Sequence, residues 1–317
     1  MAAKVLFLDT VHPVLEEKLT ADGYVCEHDY TCSVEELKEK INNYTGLVLR
    51  SRLIIDEDIL CKAGTLSFIA RSGSGLENID AVYAKQKGIH CFNSPEGNRD
   101  AVGEHAVGML LSLLNNIPKG NSEVRKLQWN REENRGIELG GKTIGIIGYG
   151  NTGKAFAKKL SGFSCDVLTY DRYVENAGDE NARQVELSDI FEQSDIVSIH
   201  IPYNQENHYF IDQTFLSSFK KNIYLINTSR GKVLNSADLV TSLKNGKVKG
   251  ACLDVLEYEK HSFESVDFES IPENLRFLIT SDRVILTPHV AGWTEESYYK
   301  LSMVLYDQIS SKVGAAT

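Results

Sequence analysis

The chain has 317 residues, more than one hydrophobic core usually serves, so two domains of about 100 to 200 residues each are expected. Hydrophobic residues at 42% and charged residues at 25% exclude a disordered or fibrous protein. A formal charge of 34 − 44 = −10, with no basic block, argues against a nucleic acid or an anionic membrane surface as partner.

In chain order, Lys4–Asp9, Leu47–Leu49, Ser67–Ala70 and Ile89–Phe92 read as strands, with Val34–Ile41 and Ile79–Lys87 as helices between them. This alternation predicts a parallel sheet with helices on both faces. Asp100–Asn115 is apolar at helical spacing and is followed by a polar stretch, Pro118–Gly141; a long helix leaving the first domain and entering the second is the simplest reading. A second series runs through Lys142–Gly148, Asp166–Tyr170, Asp195–His200, Asn222–Asn227, Lys249–Leu253 and Arg283–Leu286. Thr294–Ser311 closes the chain as an amphipathic helix with Leu301, Val304, Leu305 and Ile309 on one face.

Six scattered cysteines without a CxxC pair suit buried, reduced thiols, and no metal site is expected. The apolar run before Asp9 is too short for a signal-peptide core, and the one around Val107 to Leu114 is far below the ~20 residues that span a bilayer. A soluble, cytoplasmic protein is therefore expected.

Gly148-Tyr149-Gly150-Asn151-Thr152-Gly153 is G-x-G-x-x-G, a weak signal alone. Here it follows the buried-strand run Thr143–Ile147 and precedes the helix-forming Lys154–Leu160, the setting in which glycines bring a helix N-terminus up to a pyrophosphate. Asp171 ends the next strand, where a carboxylate accepts hydrogen bonds from the adenosine ribose and repels a 2′-phosphate, so NAD is expected rather than NADP.

Three ionisable residues stand at strand ends or just beyond: Arg230 after Tyr224–Ile226, Glu259 after Asp254-Val255-Leu256, and His289 in Thr287-Pro288-His289. A guanidinium holds a carboxylate bidentately, an imidazole passes a proton near neutral pH, and a carboxylate partner favours the imidazolium. Singly each reads equally well as a surface arginine, a solvated glutamate and a capping histidine. Together they read as a site.

GYGNTG (148–153), NTSRG (227–231), ACLDVLEYE (251–259) and TPHVAG (287–292) follow one another in the order found in the D-isomer-specific 2-hydroxyacid dehydrogenases, which the chain resembles over nearly its whole length. The resemblance implies a Rossmann-type doubly wound domain over residues 99–292 that binds NAD. It also implies a flavodoxin-like α/β substrate domain over residues 1–98, completed by the C-terminal helix 293–317, and a homodimer. By resemblance Arg230 orients a 2-oxo acid, His289 is the acid/base, Glu259 its partner, and Asp254 lies near the nicotinamide carboxamide. Ile201, Thr228, Ser229, Arg230, His289 and Gly292 join the glycine motif and Asp171 around the cofactor. Thr152 stands where the family usually has an apolar residue, Lys260 replaces its usual proline, and 260–282 is longer than expected, which makes Glu257 the reserve for Glu259. His200, at the end of its strand, is the reserve proton carrier.

The loops Leu47–Ser51, Ala70–Asp80 and Asn93–Asn98 resemble those of the family's phosphoglycerate dehydrogenase branch. That implies oxidation of 3-phospho-D-glycerate to 3-phosphohydroxypyruvate in serine biosynthesis, with Arg50, Ser51, Ser72, Gly73, Asn98 and Arg230 holding the substrate. No regulatory domain is expected after the last helix. An arginine beside a hydroxyl at a strand end suits a phosphate, although Arg50 and Arg52 also read as residues that solubilise a loop. Erythronate-4-phosphate, glyoxylate or hydroxypyruvate, and D-lactate are the alternative substrates. A Rossmann-fold NAD sensor without catalysis is the alternative outside the class, and the presence of Arg230 and His289 argues against it.

Overall fold

The computed structural model describes residues 3–259 and 271–315. The chain divides into two compact units, Met1–Asn98 with Trp293–Thr317, and Arg99–Gly292.

The first unit carries β1 (Lys4–Phe7), α1 (Val14–Ala21), β2 (Val25–His28), α2 (Val34–Lys40), β3 (Gly46–Leu49), α3 (Glu57–Leu60), β4 (Phe68–Arg71), α4 (Ala81–Gln86) and β5 (His90–Asn93). Its sheet has the order β2-β1-β3-β4-β5 and is wholly parallel. Side chains alternate across a strand, so Leu47 and Leu49 enter one helical layer with Leu37 and Ile59, while Val48 enters the other with Leu15, Leu305 and Ile309. Both faces are covered, which is why β3 reads as a continuous apolar run. Ser33 and Glu36 form a capping box that sets the start of α2.

The second unit continues with α5 (Arg99–Leu114), α6 (Ile117–Arg125), β6 (Thr143–Ile147), α7 (Asn151–Leu160), β7 (Asp166–Tyr170), β8 (Arg183–Gln184), α8 (Leu187–Gln193), β9 (Ile196–Ile199), α9 (Gln213–Ser218), β10 (Ile223–Asn227), α10 (Ser236–Lys244), β11 (Val248–Leu253), α11 (Glu273–Thr280) and β12 (Val284–Leu286). The final helix, α12 (Glu295–Lys312), returns to the first unit. The seven strands lie in the order β12-β11-β10-β9-β6-β7-β8, all parallel, the doubly wound arrangement.

Several elements escape the sequence reading. β2 is an edge strand of sequence VCEH with no buried residue, so it shows no apolar alternation. β8 is only two residues long. The polar stretch after residue 117 begins with a helix, α6, that buries no side chain. The helix expected to join the two domains, α5, lies within the second unit from its first residue. On α12, Leu301, Leu305 and Ile309 are buried as expected, but Val304 is only partly so. The cysteines are all free, yet only Cys32 and Cys252 are buried and Cys61 is exposed, which corrects the expectation of buried thiols. Among the described residues no helix is long and apolar enough to cross a membrane. The departure at Lys260, and 260–270 with it, lies outside the described residues.

Candidate active site

Parallel strands send the loops after β6, β7, β9, β10, β11 and β12 from one edge of the second sheet. Strand order reverses between β6 and β9, and an open α/β sheet holds its ligand at such a point. Gly148 there has φ +90°, and a Cβ on it would stand 2.8 Å from the His200 carbonyl oxygen. A Cβ on Gly153 would stand 2.2 Å from the Gly148 oxygen. Both positions therefore need glycine. Gly150 precedes α7 without a side-chain cap, and open space surrounds the place where its Cβ would be. The first-turn N–H groups of Asn151, Thr152 and Gly153 are thus left for an anion.

Asp171 lines a pocket with Ile147, Gly148, Ile201 and Phe210. Its Oδ2 accepts from Tyr149 N at 2.8 Å, and its Oδ1 accepts from Tyr173 N at 3.0 Å and Val174 N at 3.2 Å. The carboxylate so fixes the glycine loop while presenting negative charge to the pocket. The neighbouring Arg172 has its own partner, Glu206, at 3.6 Å. Just after β10, Thr228 Oγ1 is buried with no hydrogen-bond partner among the described residues, an orphan that a polar ligand would satisfy. An uncapped helix end, an apolar slot closed by a carboxylate and an orphaned hydroxyl fit a dinucleotide.

Farther along the edge, the Asn227 side chain ties down the turn that carries Arg230. Its Oδ1 accepts from Ser229 N at 3.0 Å and Ser229 Oγ at 2.8 Å, and its Nδ2 donates to Arg230 O at 3.2 Å. Arg230 Nη1 donates to Ser229 O at 2.7 Å. A Cβ on Gly231 would lie 2.0 Å from Leu256 O, so the loops after β10 and β11 touch backbone to backbone. The second of these loops carries Glu259. Glu259 Oε2 lies 2.7 Å from His289 Nδ1, with both side chains about 30% exposed. Glu257 Oε2 instead accepts from Ser236 N at 2.9 Å, at the start of α10. The reserve carboxylate therefore caps a helix, and Glu259 is the one paired with the histidine.

His289 has φ +55°, a left-handed conformation that is uncommon for a residue with a Cβ. Asp254 holds it there. The Asp254 carboxylate is 1% exposed and accepts from Val290 N at 2.9 Å, Ala291 N at 2.8 Å and Thr287 Oγ1 at 2.5 Å, while Asp254 O accepts from His289 N at 2.9 Å. The residue expected beside a carboxamide is thus the anchor of the histidine's turn. His105 of α5, which no motif marks, also reaches this turn: its Nε2 lies 3.0 Å from Thr287 Oγ1 and 3.6 Å from Asp254 Oδ1. An imidazole interrupting the apolar run of that helix was the available signal. His200, the reserve proton carrier, is buried in a chain of hydrogen bonds with Ser198 and Thr152, and burial lowers its pKa to about 3.

The expected substrate residues lie in the first unit. Arg50 follows β3, at the point between β1 and β3 where that sheet's strand order reverses. Its backbone N–H donates to Asp9 Oδ2 at 2.6 Å, and its half-buried guanidinium stacks on Trp293 at 4.1 Å. Desolvation lowers its pKa. Arg52 does not simply solubilise the loop: it donates to Leu8 O at 3.1 Å and Cys32 O at 2.8 Å. Arg71 ties the next two loops together, donating to Arg50 O at 3.1 Å and Gly75 O at 2.7 Å. Ser72 is buried, with its N–H on Leu49 O at 2.9 Å; Gly73 O accepts from Ser94 N at 2.9 Å, and Asn98 Oδ1 accepts from Ser74 Oγ at 2.7 Å. Ser51 follows Arg50 and is partly exposed.

Residues 107–291 match the family described as D-isomer specific 2-hydroxyacid dehydrogenase, NAD binding domain. The chain is 32% identical over 308 residues to the D-3-phosphoglycerate dehydrogenase of Archaeoglobus fulgidus, covering 96% of this chain and 56% of that one. It is 31% identical over 280 residues to the hydroxypyruvate reductase of Thermotoga maritima, covering 88% of each. The chain thus spans about half the length of the phosphoglycerate dehydrogenase, 56%. A solved structure, D-lactate dehydrogenase from Aquifex aeolicus complexed with NAD and lactic acid, superimposes with a TM-score of 0.81 at 27% identity, covering 98% of this chain and 96% of that one.

Proposed function

The chain belongs to the D-isomer-specific 2-hydroxyacid dehydrogenases, and on that premise we propose that it is an NAD-dependent oxidoreductase acting on the CH–OH group of a 2-hydroxy acid. The observation that carries this reading is the His289–Glu259 pair, 2.7 Å apart, in the unit that also holds the uncapped α7 and Asp171. NAD, when bound, supplies the acceptor for the hydride leaving C2. His289 takes the proton from the 2-hydroxyl during oxidation and returns it to the carbonyl oxygen in the reverse direction. Glu259 orients the imidazole and stabilises its charged form, and Arg230 grips the substrate carboxylate.

The substrate we favour is 3-phospho-D-glycerate, with Arg50 reading the phosphate. Arg52 and Arg71 are occupied by backbone carbonyls, whereas the Arg50 guanidinium stacks on Trp293 and makes no side-chain hydrogen bond among the described residues. Hydroxypyruvate is the second reading. It is favoured by the Thermotoga relative, which this chain matches over 88% of both lengths. Ile117, Val124, Leu127 and Trp129, exposed on α6 and just beyond it, offer an apolar surface for a homodimer, and free thiols suit the cytoplasm; a place in serine biosynthesis rests on the phosphoglycerate reading alone. Turnover with NAD across 3-phosphoglycerate, glycerate, lactate and glycolate, and with NADH on hydroxypyruvate, tests the function. No turnover with any of them sinks it.

A further inference from the structure

The Thr152 hydroxyl meets His200, a buried histidine that the proposed reaction leaves unused. His200 Nδ1 lies 3.2 Å from Thr152 Oγ1, and His200 Nε2 lies 2.8 Å from Ser198 Oγ. Ser198 is fully buried, His200 nearly so, and the imidazole packs on Phe156 with ring centroids 5.5 Å apart. Thr152 belongs to the first turn of α7, whose N–H groups receive no side-chain cap.

A neutral imidazole has one N–H and one acceptor nitrogen, so the chain Ser198–His200–Thr152 has two possible directions. With the proton on Nε2, the imidazole donates to Ser198 Oγ, and the buried Ser198 proton has no acceptor among the described residues. Thr152 then donates inward to Nδ1, which uses up its own proton. With the proton on Nδ1, Ser198 donates to Nε2 and the imidazole donates to Thr152 Oγ1. Every buried donor is satisfied, and the Thr152 proton is left to point away from the histidine. A buried unsatisfied donor costs about 1–3 kcal/mol, which selects the second direction.

We propose that His200 is a positioning residue that, as the Nδ1–H tautomer, turns the Thr152 hydroxyl into a donor to the cofactor pyrophosphate beside the first turn of α7. The inference rests on the dinucleotide reading above. It adds a side-chain hydrogen bond to the backbone donors of the helix end, in a place where an apolar residue supplies none. The imidazole stays neutral throughout, because Nε2 must accept from Ser198.

Two measurements test it. Nitrogen-15 spectra of the histidine side chains at neutral pH read the tautomer in the cofactor-free protein; a proton on Nδ1 of His200 is expected, and a proton on Nε2 overturns the proposal. Calorimetric titration with NADH reads the hydrogen bond. Thr152→Val should weaken binding about tenfold, the scale of one charge-assisted bond, and Thr152→Ser should restore it. His200→Phe should produce a loss similar to that of Thr152→Val, and the double variant should lose little more, a coupling that a role in packing alone does not give. Should His200→Phe fail to fold, the tautomer and the two Thr152 variants still decide. If the unmodified protein binds no NADH, the cofactor reading fails and takes the proposal with it. If it binds NADH and Thr152→Val binds equally well, only the proposal falls.

Discussion

Glu259 Oε2 lies 2.7 Å from Nδ1 of His289, while Glu257, two residues earlier, turns away to cap α10. His289→Asn should cut turnover about 10²- to 10⁴-fold with little change in NADH affinity, as expected when a general acid/base is lost. Glu259→Gln should cost less than that but at least about tenfold, because the imidazole keeps its place and loses its negative partner. Glu257→Ala should leave turnover close to normal and lower stability by about 0.5–2 kcal/mol, the range for loss of a helix cap. Steady-state kinetics on the three variants checks the assignment; equal losses for both glutamates refute it.

Asp254 accepts hydrogen bonds through both of its oxygens, and an asparagine offers only one. Asp254→Asn therefore leaves a buried N–H facing an N–H, and a loss of about 1–3 kcal/mol in urea unfolding is expected. Thr287→Val removes one donor to the same carboxylate and should cost less. A variant as stable as the parent would mean that the turn of His289 holds itself.

Asp171 presents a carboxylate to the nucleotide pocket and supports the glycine loop through Tyr149 N. NADH should bind in preference to NADPH, and Asp171→Ala should narrow the difference by about tenfold, roughly 1.4 kcal/mol. Fluorescence titration with the two cofactors measures it. Equal affinity for NADPH in the parent protein contradicts the reading.

Arg50 stacks on Trp293, and the proposed reading gives it the far end of the substrate. If that end is a phosphate, Arg50→Ala should lower kcat/KM for 3-phosphoglycerate by about 1.5–3 kcal/mol and barely change the rate with glycerate. A parent protein that prefers glycerate or hydroxypyruvate, or a variant that loses both activities equally, removes the phosphate from the argument and leaves the dehydrogenase.

Burial lowers the pKa of His200 to about 3, against an unperturbed value of about 6.5. Between those values the unfolded chain binds a proton that the folded chain refuses. The contribution of this group to stability is therefore present above about pH 6.5 and is lost as pH falls toward 3, at about 1.4 kcal/mol per pH unit. His200→Gln should flatten the acid limb of the stability curve between pH 6.5 and 5 by about 2 kcal/mol relative to the parent. Urea midpoints across that range check it, and parallel curves for the two proteins would falsify it.

The two parallel sheets are legible in the sequence because buried strands are local apolar runs and the helices between them are periodic. The Gly148–Gly153 turn, Asp171, and the turns carrying Arg230 and His289 are legible for the same reason: each depends on a few consecutive residues. β2 is not, because an edge strand with the sequence VCEH needs no apolar face.

The residue types at the site were set by the sequence alone, and their partners were decided by the tertiary structure. Nothing local separates Glu259 from Glu257, or Arg50 from Arg52; the difference is which neighbour each side chain reaches once the loops after β10, β11 and β12, or after β1 and β3, come together. Asp254 and His289 stand 35 positions apart, Thr152 and His200 48 apart. Such pairs leave no trace in periodicity or turn chemistry, because a parallel sheet aligns strand ends whatever the chain length between them.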